Sequence, residues 1–165
     1  MKSTFACATT CMDGRIQAAA RKHLKAKYEV DYVDLVTHPG VNKFLAEANV
    51  GLSWFWLVLY CLTLQLGKVR KCIILRNVRW MIGVSALNHA AKVVAIVGHP
   101  QCAGNQCPKQ HQIEHLVKAK KRIQSFGFEV DVILLWVAED WKTVEVIGDD
   151  GSLFESRLYN VYVAQ

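Results

Sequence analysis

The run Lys92-Val-Val-Ala-Ile-Val97 constrains the fold of this 165-residue chain more than any other segment. After Lys92 it is a continuous apolar stretch, dominated by β-branched residues, with no polar alternation. A strand of that kind is buried on both faces, the situation of a parallel sheet covered by helices. The flanking segments read in the same sense. Residues 4–9 suit a first strand, and 15–27 carry alanines and basic residues at helical spacing. Residues 30–36 suit a second strand, stopped by Thr37-His-Pro-Gly40, and 41–48 a short helix. A helix is expected over 78–91, with a short strand over 71–75 before it. A helix over 109–126 leads to a strand over 129–137. Short strands are expected at 143–147 and 158–163, separated by the turn Gly148-Asp-Asp-Gly151. The alternation predicts an α/β fold, a mostly parallel β-sheet flanked by helices on both faces, in a single domain over 1–165.

Composition narrows the function classes. At 52% hydrophobic and 21% charged, the chain has ample core and is not disordered. The net charge of +6 is a mild basic excess without a long single-sign block; the densest cluster, Lys118-Ala-Lys-Lys-Arg122, lies in a helical pattern. Trp54, Trp56 and Trp80 read as core or interface residues and not as a base-stacking platform, so no nucleic-acid partner is expected. The first residues carry no apolar signal core, which predicts a cytoplasmic location and reduced thiols. Residues 48–67 are uncharged and end at Lys68, Arg70 and Lys71. Their length sits at the lower edge of a membrane span, and Asn49, Ser53, Thr63 and Gln65 dilute them. The favoured reading is a helix buried in the core or a subunit interface, with Trp54, Phe55 and Leu59 covered in a homo-oligomer. Membrane contact through 48–67 is the less favoured alternative.

The chemistry concentrates at two strand ends. Cys11, Asp13 and Arg15 follow the first strand, and His99 and Cys102 follow the strand at 92–97. Open parallel sheets bind ligands outside the carboxyl ends of their strands, where the strand order reverses. If these two strands are neighbours, Cys11, His99 and Cys102 converge. Two thiolates and one imidazole suit Zn²⁺, with a fourth tetrahedral position left open.

Cys11-Met-Asp13-Gly-Arg15 followed by Gly98-His99-Pro-Gln-Cys102 resembles the paired signature of the β-class carbonic anhydrases, Cys-x-Asp-x-Arg and His-x-x-Cys. The resemblance covers roughly 4–48 and 78–137. It implies that Cys11, His99 and Cys102 are zinc ligands and that Asp13 and Arg15 form a catalytic dyad in which arginine holds the aspartate. The implied activity is reversible hydration of carbon dioxide to bicarbonate by a zinc-bound hydroxide, in a dimer or larger assembly. Several features depart from the family pattern: the family's N-terminal helical arm is missing before Cys11, the segment 49–77 is unusual, and two loop segments differ. Thr37-His-Pro-Gly40 stands where the family has Asn-Ala-Gly, and Ala103 separates Cys102 from Gly104. Two alternatives stand beside this reading. One is a hydrolase of another small heterocumulene such as carbon disulfide, on the same scaffold. The other is an inactive zinc-stabilised interaction module.

Simpler roles compete for several residues. Asp13 also suits the N-terminus of a helix, and Cys7, Thr9 and Thr10 suit packing and capping. Cys107, His111 and His115 have a helical spacing that a second metal could use, although a solvated helix face is the stronger reading. His38 would serve as a proton shuttle if it lined the pocket.

Overall fold

The computed structural model describes residues 3–48 and 66–159. The elements are β1 (Phe5–Thr10), α1 (Gly14–Tyr28), β2 (Tyr32–Thr37), α2 (Val41–Glu47) and α3 (Leu66–Gly83), which continues into a π-helical turn, Val84–Asn88. There follow β3 (Val93–Gly98), α4 (Lys109–Gln124), β4 (Asp131–Val137), β5 (Thr143–Ile147) and β6 (Leu153–Leu158). They form a six-stranded sheet of order β2-β1-β3-β4-β5-β6. The pairs β2-β1, β1-β3 and β3-β4 are parallel; β5 and β6 are added antiparallel at one edge. The chain has the mostly parallel α/β fold that its sequence predicts.

The apolar run at β3 is explained by its two faces. Val93, Ala95 and Val97 pack with Ile16, Ala19, Ala20 and Leu24 of α1. Val94 and Ile96 point the other way, into Val41, Leu45, Leu75, Val78, Ile82 and Leu116 from α2, α3 and α4. All six residues of the strand are buried. The α1 face is lined by alanines on both partners, which lets that helix approach closely. The connections from β1 through α1 to β2, and from β2 back across β1 to β3, run in opposite directions. The strand order therefore reverses between β1 and β3, and the carboxyl ends of these two strands are where open parallel sheets take their ligands.

Two expectations are corrected. Residues 71–75 belong to α3 and not to a strand, because Cys72, Leu75, Val78 and Ile82 are buried at helical spacing while Ile73, Arg76 and Trp80 face out. The helix expected over 78–91 is the end of α3 with its π-helical turn, complete by Asn88. A strand that the sequence did not suggest, Leu153–Leu158, follows the Gly148–Gly151 turn, which returns the chain at once; Gly148 N–H donates to Ser152 O at 2.7 Å. The strand expected over 158–163 lies mostly outside the described residues. The expectation for residues 48–67, with Trp54, Phe55 and Leu59, falls almost wholly outside the described residues. Among the described residues no helix is long and apolar enough to cross a membrane.

The two loop segments that differ from the family pattern, at Gly40 and at Gly104, meet each other. Gly40 (φ +56°) precedes α2, and a Cβ placed on it would lie 2.3 Å from Gly104 O. A Cβ on Gly104 would in turn lie 2.5 Å from Gly40 N. Backbone packs on backbone here, in a conformation that side chains resist. Gly40→Ala is therefore expected to destabilise the chain by about 2–3 kcal/mol, read as a lower urea midpoint at unchanged slope.

Buried His23 gives a second stability prediction. Its ring is fully covered, with Nδ1 3.0 Å from the Tyr159 hydroxyl, and burial holds its pKa down to about 4. The unfolded chain takes up this proton near pH 6.5, and the folded chain only near 4. Its contribution is fully present above 6.5 and is lost as pH falls through that window. Urea unfolding should show a midpoint that drops between these pH values more steeply in wild type than in His23→Leu.

Candidate metal centre

Cys11 lies one residue past β1, and His99 lies one residue past β3. The register Thr9↔Ile96 between these neighbouring strands sets the two ends side by side. Cys102 returns to them on the loop after β3, which Asn105 N–H closes by donating to Cys102 O at 3.0 Å. One ligand atom from each of Cys11, His99 and Cys102 lies within 4.8 Å of the other two, and all three residues are buried. The two sulfurs are 3.8 Å apart and both cysteines are free. Two sulfurs each about 2.3 Å from a tetrahedral ion would be spaced about 3.8 Å apart.

The imidazole is prepared for a ligand's role. His99 Nδ1 lies 2.8 Å from Pro100 O, and a carbonyl only accepts, so the proton belongs on Nδ1. That leaves a lone pair on Nε2, which is buried and has no hydrogen-bond partner. Burial also lowers the His99 pKa and keeps the ring neutral. Burial first, then the adjacent Cys11 sulfur, pushes the Cys102 thiol above the usual cysteine range, while the N–H groups of Gly104 and Asn105 favour its thiolate. Two sulfurs in contact, short of positive charge, beside an orphaned lone pair are what a cation would satisfy. The donor set fits a metal ion.

Beside the triad, Asp13 is the N-cap of α1 and accepts from Arg15 N–H at 3.0 Å. The same carboxylate takes the Arg15 fork, with Nη2 at 2.6 Å and Nε at 3.0 and 3.2 Å. The hydrogen bonds from the Arg15 side chain lead in lowering the Asp13 pKa to about 2. Helix capping and arginine pairing thus coexist in one side chain.

Other sequence candidates fall elsewhere. Cys107, His111 and His115 do not converge; among the described residues the triad is the one group of three or more metal-capable side chains placed together. His38 lies tilted against Phe44, with ring centroids 4.7 Å apart, and lines a separate cavity of about 200 Å³ with Lys43, Glu47 and Gly104. Cys7 is a core residue whose thiol burial pushes up to about 12. Four residues around the site escaped sequence reasoning. Asn42 Oδ1 accepts from Asn105 Nδ2 at 3.2 Å, tying α2 to the Cys102 loop, and Gln101 and Trp141 both contact Arg15. An asparagine three residues past Cys102 and a tryptophan inside the polar turn Glu139-Asp-Trp-Lys142 were the available signals.

A family model described as "Putative carbonic anhydrase" matches residues 1–53 and 66–147, which is most of the chain and includes the triad, Asp13 and Arg15. The chain belongs to that family. No significant match exists among curated proteins or solved structures. The family match stops at residue 53 and resumes at 66, inside the uncharged stretch. It also ends at 147, so β6 lies outside it.

Proposed function

We propose that the chain is a zinc enzyme that reversibly hydrates carbon dioxide to bicarbonate. The observation that carries the reading is the buried Cys11–His99–Cys102 triad, with its orphaned Nε2, at the switch point of a carbonic anhydrase family fold. Cys11, His99 and Cys102 would hold the ion, leaving one tetrahedral position open. A bound zinc would supply Lewis acidity that brings the pKa of its water towards neutrality, to about 7 in a carbonic anhydrase with three histidine ligands. Two thiolates donate more charge than imidazoles do, so here the water is expected to be less acidic.

The chain's own groups do the remaining work. In the net reaction, one water oxygen forms a bond to the carbon of CO₂, one C=O π pair becomes the bicarbonate charge, and one proton leaves to buffer. Asp13, ionised across the working pH range, accepts a hydrogen bond from the reacting water at a carboxylate oxygen and so aims its lone pair. Arg15 holds that carboxylate at two points, which keeps it from swinging onto the metal. The guanidinium also offers positive charge to the anionic product.

We also propose a homo-oligomer in the cytoplasm. Ile73, Trp80 and Leu87 recur every seven residues along α3 and its π-helical turn and remain exposed, a stripe suited to a second copy. Stopped-flow measurement with CO₂ and, separately, carbon disulfide tests the reaction. Hydration of CO₂ by zinc-loaded protein, abolished by chelator and restored by zinc, is the expected result. Turnover of carbon disulfide alone would select the related hydrolase, and turnover of neither would leave a zinc-stabilised module.

A further inference from the structure

Two loops distant in sequence close on one guanidinium. The Nε and Nη2 edge of Arg15 rests on Asp13, and Nη1 donates to Gln101 Oε1 at 3.3 Å. The Trp141 ring covers the guanidinium face, its centroid 4.1 Å from Cζ. Gln101 comes from the loop that carries His99 and Cys102, and Trp141 from the turn between β4 and β5.

The backbone under both residues is unusual. Gln101 has φ +53° and Trp141 φ +58°, the left-handed region that bulky side chains rarely adopt. Among the described residues, four that are not glycine have positive φ. Glu29 is the C-cap of α1, and Ala90 lies in the turn before β3; the other two both touch Arg15. The Trp141 conformation is held from outside. The Asp140 carboxylate accepts from Lys142 N–H at 2.9 Å, Thr143 N–H at 2.8 Å and the Thr143 hydroxyl at 2.6 Å. Trp141 N–H itself donates to Ala138 O at 3.0 Å. A fold that keeps two strained residues aimed at one group suggests a use for that aim.

The Asp13–Arg15 pair also needs such help. The Arg15 side chain is 46% exposed and that of Asp13 21%. Exposed ion pairs hold their geometry poorly, because water competes for both partners and long side chains retain other rotamers. An indole over one guanidinium face excludes water there and removes rotamers, and an amide on the free nitrogen removes more. The Trp141 ring is also tilted against His99, with centroids 6.3 Å apart, so the clamp adjoins the triad.

We propose that Trp141 and Gln101 are positioning residues that clamp Arg15 onto Asp13, and thereby fix the carboxylate in the orientation that serves the reaction. The inference rests on the proposed reading of Asp13 and Arg15 as the working pair beside a bound zinc.

The test uses zinc-loaded full-length chain carrying Trp141→Asn, Trp141→Phe or Gln101→Ala. Asparagine tolerates the left-handed backbone, so the turn is retained while the ring is lost. Three quantities are read: solvent exchange of the Arg15 Nε–H by NMR without substrate, kcat and KM for CO₂, and zinc content. In Trp141→Asn the exchange should speed up about tenfold and kcat fall about tenfold, with KM and zinc content near wild type. Gln101→Ala should move the same quantities in the same direction by less, and Trp141→Phe should restore most of both. Unchanged Nε–H exchange in Trp141→Asn overturns the proposal. So does a fall in kcat that merely follows lost zinc. Exchange is read without substrate. A wild type that hydrates no CO₂, yet has a clamp loosened by Trp141→Asn, upholds the positioning of Arg15 and overturns only the reading of the reaction.

Discussion

Cys102→Ala, prepared with zinc present, is expected to retain less than about a tenth of the wild-type metal after dialysis, since even groups that merely support a metal ligand are worth about 10–100-fold in affinity. His99→Ala should behave alike. The reason is local. Cys11, His99 and Cys102 are the three donors that meet within 4.8 Å. His111→Ala should keep its zinc, because His111 stands on α4 outside the triad. Elemental analysis of the three variants decides the matter, and activity should follow metal content.

Asp13→Asn separates charge from architecture. Asparagine is as good an N-cap as aspartate, so α1 should keep its start and the protein its stability. What disappears is the ionised carboxylate that the proposed mechanism sets beside the reacting water, and kcat is expected to fall at least about a hundredfold with zinc retained. Arg15→Lys keeps the positive charge and loses the planar fork that spans both carboxylate oxygens. Its kcat should fall about tenfold, with zinc content again near wild type. Stopped-flow hydration beside zinc analysis checks both variants. Full activity in Asp13→Asn would remove the carboxylate from the mechanism.

How much of this was legible beforehand depended on whether the signal was local. The run 92–97 announced a strand covered on both sides because every residue in it after Lys92 is apolar, and both layers are there. The convergence of Cys11, His99 and Cys102 followed from residues placed just past two strands, once those strands proved to be neighbours. Residues 71–75 misled because Lys-Cys-Ile-Ile-Leu is too short a window to separate a period of two from one of 3.6; the burial of Val78 and Ile82 further on resolves it as helix. Strand β6 carries little pattern, since most of Leu153–Leu158 is exposed, and it is fixed by pairing with β5. Gln101 and Trp141 could not be placed at all. Their contacts to Arg15 span most of the chain, and only the assembled sheet brings the two loops over one guanidinium.

The central claim is that this chain builds a metal centre from two sulfurs and one imidazole, with one position left for a small oxygen ligand. Zinc-edge X-ray absorption of the purified, zinc-loaded wild type examines that directly. The expected spectrum fits two sulfurs at about 2.3 Å and two nitrogen or oxygen neighbours at about 2.0–2.1 Å, with the sulfur count falling to one in Cys102→Ser supplied with excess zinc. A wild-type spectrum with nitrogen and oxygen neighbours alone, or one unchanged by Cys102→Ser, would contradict it.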